Sequence, residues 1–112
     1  MPQKTEKRQY ARTKAFAKVR QGLVEELVAQ GLDSPLLMDK IDEYMSFWVR
    51  RQQLRDDVES RGLFVEDERG RVSENRSVSL EIQASRQMLA ILQTIGIQPR
   101  KPSPGYDFDD EL

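Results

Sequence analysis

A chain of 112 residues, 38% apolar and 33% charged, fits one small domain with tails; its few apolar side chains must be concentrated on amphipathic elements, and self-association would complete so small a core. With no Cys and no His, disulfides, Cys/His zinc sites, thiol nucleophiles and imidazole bases are excluded, and the 19 Asp and Glu residues show no spacing that suits a cation or acid/base catalysis. The net charge of −1 conceals a division: residues 1–20 hold seven basic residues against one acidic, a net of +6, whereas the remainder holds 11 basic and 18 acidic, a net of −7.

The first expected element is a helix over residues 5–30, favoured by Ala11, Ala15, Ala17 and Ala29 and ended by Gly31. Phe16, Val19, Leu23 and Leu27 recur every three or four residues, with Val24 and Val28 widening the stripe and Gly22 weakening the middle. The first ten residues have no such stripe, so their order is expected to depend on a partner. A second helix starts with the clearest local signal in the chain, Ser34 as N-cap and Pro35 at the first helical position, and runs to Arg61 before Gly62. Leu37, Ile41, Tyr44, Trp48, Leu54 and Val58 trace its apolar face, broadened by Met38, Met45, Phe47 and Val49. Such a helix is a rod of about 40 Å, long enough to project beyond a monomeric core of this size.

Between residues 63 and 75 the pattern becomes a short apolar run, a charged stretch and Val72. It reads as a small β-hairpin or extended excursion with Gly70 at its turn, or else a plain loop. A third helix, capped by Asn75 or Ser77, then carries Ile82, Met88, Leu89, Ile91, Leu92 and Ile95 to Gly96. After it, Pro99, Pro102 and Pro104 make an extended linker, followed by an acidic peptide from Tyr106 to Leu112. The expected fold is mainly α: a long helical hairpin plus a third helix, with a short β-hairpin or extended excursion between the second and third helices. Three segments follow: a basic arm or helix start (1–20), a helical oligomerisation core (21–97), and a Pro-rich linker with an acidic tail (98–112). No apolar run approaches the roughly 20 residues of a membrane span, and the N-terminus lacks the apolar stretch of a secretory signal, so a cytosolic protein without membrane association is expected.

Tyr44, Gly62, Gly70, Asn75 and the run Ile95-Gly96-Ile97-Gln98-Pro99-Arg100 occur in an order that resembles the small terminase subunits of tailed bacteriophages. The resemblance covers residues 44–100: an aromatic-containing long helix, a glycine-bounded excursion, an Asn opening a helix, and the closing Gly and Pro-Arg. It departs at Arg76, where the family often has Pro after its Asn. The resemblance implies a non-catalytic protein that forms a ring-like homo-oligomer of many protomers in the host bacterial cytoplasm. It also implies that the protein binds double-stranded viral DNA at the packaging start and recruits and regulates the large terminase subunit, the ATPase and nuclease. No cofactor is implied, and the chain has no Gly-rich phosphate loop of the G-x-x-x-x-G-K form.

Three groups of residues are the candidates for function. Lys4, Lys7, Arg8, Arg12, Lys14, Lys18 and Arg20 suit the DNA backbone, since clustered cations gain affinity by releasing counterions from phosphates; a solvated helix face or solubilising tail is the bland reading. Leu37, Ile41, Tyr44 and Trp48 suit an oligomer interface or an ordinary core. Tyr106 and Phe108, with Asp109 and Asp110 around them, suit a docking peptide for a basic groove, or a tail that only solubilises. Arg50, Arg51, Arg55, Asp56, Asp57 and Glu59 read as a solvated ion-pair face. The rival functions are a helix-turn-helix regulator turning at residues 31–34, with the long apolar second helix against it, and a helical adaptor that binds no DNA.

Overall fold

The computed structural model describes residues 9–97, in the order 3-10 turn (Tyr10–Arg12), α1 (Lys14–Ala29), α2 (Pro35–Arg61), β1 (Phe64–Glu66), β2 (Val72–Glu74) and α3 (Arg76–Ile95). The mainly helical expectation is met, and the excursion between α2 and α3 is an antiparallel β-hairpin. Its register pairs Phe64 with Glu74, Val65 with Ser73 and Glu66 with Val72. At the turn, Asp67 Oδ1 accepts from the backbone N–H groups of Arg69 (2.8 Å) and Arg71 (2.9 Å), and Gly70 takes φ 80°, a conformation that costs a side-chain-bearing residue most.

α1 begins at Lys14, later than its composition suggested. Thr13 is extended, and its Oγ1 accepts from the Phe16 N–H at 3.1 Å, which satisfies a donor that the first helical turn leaves free. The helix then continues without a break through Gly22. α2 has its expected ends: Ser34 Oγ accepts from the Leu37 N–H with Pro35 in the first turn, and Gly62 follows at φ 88°. α3 is capped by Asn75, whose Oδ1 accepts from the Ser77 N–H at 2.9 Å. It closes at Gly96 in the left-handed region, with the Ile97 N–H donating to the Leu92 carbonyl at 3.0 Å, the reversal that glycine at a helix end permits.

Successive helices run antiparallel. The buried core of Leu27, Ile41, Met45, Ile95 and Ile97 sits where the α1–α2 connection meets the end of α3, rimmed by Phe16, Leu23, Leu37, Tyr44, Trp48 and Leu92. α3 packs on α2 through Ala84, Met88, Ile91 and Ile95. Two residues assigned to that apolar face lie elsewhere: Ile82 is 50% and Leu89 52% exposed. They are seven residues apart, two turns on one side of the helix, and among the described elements α3 packs chiefly against α2. Val28 is likewise exposed, because only one edge of the α1 stripe meets α2. Ile41 has no exposed surface, so Ile41→Ala is expected to destabilise the chain by about 3 kcal/mol, as transfer and cavity terms add. Chemical denaturation followed by far-UV circular dichroism measures it.

Candidate nucleic-acid and partner interface

The start of α1 is held against α2 by aromatic contacts. Trp48 and Phe16 meet in a T-shaped arrangement at 5.8 Å and Trp48 and Tyr10 at 6.3 Å, and the Tyr10 hydroxyl donates to Asp56 Oδ2. T-shaped rings of this kind add to the burial of their faces. With the apolar edge of the segment so fixed, Arg12, Lys14 and Lys18 are exposed and, among the described residues, take part in no ion pair. Arg20 differs from them. Its Nε and Nη2 both donate to Asp42 Oδ1 at 3.1 Å, which ties α1 to α2. The remaining members of the basic group, Lys4, Lys7 and Arg8, lie outside the described residues.

Leu37, Tyr44 and Trp48 are half-buried and Ile41 fully buried, all packed on the intramolecular core. Burial raises the Tyr44 hydroxyl above the ordinary tyrosine range, and the nearby Arg51 charge partly offsets that. Tyr106, Phe108, Asp109 and Asp110 lie outside the described residues.

The expected ion-pair face of α2 is instead divided among three partners. Asp56 accepts from Tyr10, while Arg51 (3.8 Å) and Arg55 (3.4 Å) both approach Glu81 of α3. Asp57 belongs to a polar node at the tip of the α2–α3 hairpin. Its carboxylate accepts from Arg61 Nε (2.8 Å) and Nη2 (2.9 Å), Ser77 Oγ (2.7 Å) and Asn75 Nδ2 (3.2 Å). Asn75, with no exposed surface, also donates to the Gly62 carbonyl at 2.9 Å and accepts from Arg61 at 3.3 Å. One side chain thus caps α3 and bonds the end of α2. The sequence marks Asn75 as a cap, but nothing local marks Asp57 or Arg61 as its partners, which lie 18 and 14 residues away.

Hydrogen bonds from Arg61, then those from Ser77 and Asn75, hold the Asp57 carboxyl well below the usual carboxylate range, and the same pair raises Arg61. A depressed carboxylate contributes stability that is complete above its unfolded pKa, about 3.9, and is lost as pH falls toward the folded value. Asp57→Asn is therefore expected to melt below the parent protein at pH 7, with the gap closing below about pH 4. Thermal melts across pH 2.5–7 give the comparison; a gap independent of pH would show that the charge of Asp57 is not what matters.

Among the described residues no group of Asp and Glu is arranged to hold a metal ion, and no helix is long and apolar enough to cross a membrane. Apolar surface is exposed at Leu63, Phe64 and Val72 on the β-hairpin and at Ile82 and Leu89 on α3, the kind of surface that partners cover. No curated protein and no solved structure matches the chain. A family model described as "Phage terminase, small subunit" matches residues 17–103, from the first turn of α1 to beyond the end of α3. The chain belongs to the phage terminase small-subunit family, and its general role lies in phage DNA packaging.

Proposed function

We infer that this chain is the non-catalytic, DNA-binding subunit of a packaging terminase. It acts as a ring-like homo-oligomer in the host cytoplasm and recruits and regulates the large ATPase and nuclease subunit. The observation that carries the DNA reading is the exposed group Arg12, Lys14 and Lys18, which among the described residues take part in no ion pair, with Lys4, Lys7 and Arg8 preceding them in the sequence. Family membership supports it. Cations free of internal partners release phosphate counterions at the least cost in protein contacts, and such binding is independent of base sequence. Arg20 serves instead to position α1, through Asp42. Contact with the large subunit is assigned to Tyr106, Phe108, Asp109 and Asp110. Self-association uses the exposed apolar surface of the β-hairpin and α3, together with any part of Leu37, Tyr44 and Trp48 that the monomer leaves uncovered. The helix-turn-helix alternative loses support because the helix after residues 31–34 has 27 residues and buries Ile41 and Met45, so it is not free to enter a major groove.

Size exclusion coupled to light scattering, followed by DNA retention at low and high salt, tests this reading. One mass of many protomers with salt-sensitive DNA retention is expected. A monomer that retains no DNA at low salt overturns it, and normal oligomers without DNA retention leave the adaptor role.

A further inference from the structure

A groove of about 590 Å³ lies between α2 and α3, with Phe47, Leu54 and Leu80 as apolar lining, Gln83 along it, and Arg50 and Arg86 exposed beside them. The Arg50 guanidinium lies 5.4 Å from the centre of the Phe47 ring. Among the described residues no carboxylate lines the groove and neither arginine has an ion-pair partner, whereas Arg20, Arg51, Arg55 and Arg61 are all engaged with acids. An apolar trough with two unpaired guanidinium groups calls for an acidic peptide with aromatic side chains, since arginine combines ion pairing with stacking on rings.

The chain itself carries such a peptide. Residues 106–112 alternate Tyr106 and Phe108 with Asp107 and Asp109, then add Asp110 and Glu111; in an extended backbone that alternation sets both rings on one side. The peptide is also within reach. From Ile97 back to the middle of the groove is about 18 Å along α3 at helical rise, and the eight residues of the linker, 98–105, span about 25 Å if extended as proline favours. We propose that the C-terminal peptide of each chain docks in the α2–α3 groove of that same chain, with Tyr106 and Phe108 on the apolar lining and its carboxylates on Arg50 and Arg86. Seated there, it withholds two free cations from phosphate and its own aromatic anchors from other proteins. The inference does not depend on where DNA binds, so it can fail while the reading above stands.

The chain has no cysteine, which permits a direct test on the full-length protein. Gln83→Cys with Leu112→Cys is treated with a short bismaleimide, using oligomers assembled from isotopically light and heavy chains, and Ser73→Cys with Leu112→Cys is the control for chance encounter. The expected result is a cross-link between two light or two heavy peptides, at least tenfold above the control. Adding Arg50→Glu and Arg86→Glu should abolish it, and further adding Asp109→Lys and Asp110→Lys should restore it. Circular dichroism confirms that each variant is folded. Cross-links joining light to heavy peptides would assign the groove to another copy of the chain and overturn the proposal. So would a yield no higher than the control, or one indifferent to reversing the two arginines.

Discussion

Asn75→Ala is expected to lower the free energy of unfolding by about 3 kcal/mol, a large effect for a single polar substitution. The residue is fully buried, and its amide serves four groups: Asp57, the Gly62 carbonyl, the Ser77 N–H and Arg61. Truncation leaves the Gly62 carbonyl and the buried Ser77 N–H without their bonds to the Asn75 amide and removes the cap of α3, so desolvation and capping losses add. Ser34→Ala provides the scale. It removes a cap on an exposed residue whose bond to Leu37 is 3.4 Å long, and should cost about 0.5–1 kcal/mol. Urea unfolding of the two variants decides between a hub and an ordinary cap: equal losses would deny Asn75 its role in joining the helix ends.

The second large effect concerns DNA. Reversing Arg12, Lys14 and Lys18 to Glu together is expected to weaken binding about a hundredfold near 0.1 M salt and to reduce the salt slope by about 0.9 for each phosphate that the variant no longer neutralises. All three are exposed and without described ion-pair partners, so folding should be unchanged. Arg20→Ala is the informative comparison. It removes an exposed ion pair with Asp42, worth roughly 0–1 kcal/mol, and should leave DNA affinity nearly intact. Fluorescence anisotropy with a labelled duplex at several salt concentrations provides both numbers. A triple variant with an unchanged salt slope would move the DNA-binding role to another surface.

Features decided within a few residues were legible from the sequence. Ser34 with Pro35, Gly62, Gly70, Asn75 and Gly96 set the ends of α2, the hairpin turn and the limits of α3, because each acts through its own backbone geometry or a bond to a near neighbour. Features that depend on distant partners were not. Alanine content extended α1 toward the N-terminus, but Thr13 caps it at Lys14 and Tyr10 turns back to meet Trp48 and Asp56, the latter 46 residues away. Likewise Ile82 and Leu89 are as apolar as Ile91 and Ile95, and only the position of α2 determines which pair is covered. Within the candidate site, charge counting found the basic segment but could not tell Arg20, already committed to Asp42, from Lys14 and Lys18.

The aromatic junction at the head of α1 has an optical consequence. Trp48, on α2, is the chain's single tryptophan, and it contacts Tyr10 and Phe16, which belong to the segment that also bears Arg12, Lys14 and Lys18. Its emission therefore reports from one place without any label. A ligand that pulls the basic segment away from α2 would open the indole to water and shift its emission to the red, whereas one that engages the cations on a seated α1 would leave the spectrum nearly still. The unmodified protein can thus distinguish an arm that swings out to its nucleic acid from a rigid surface that receives it.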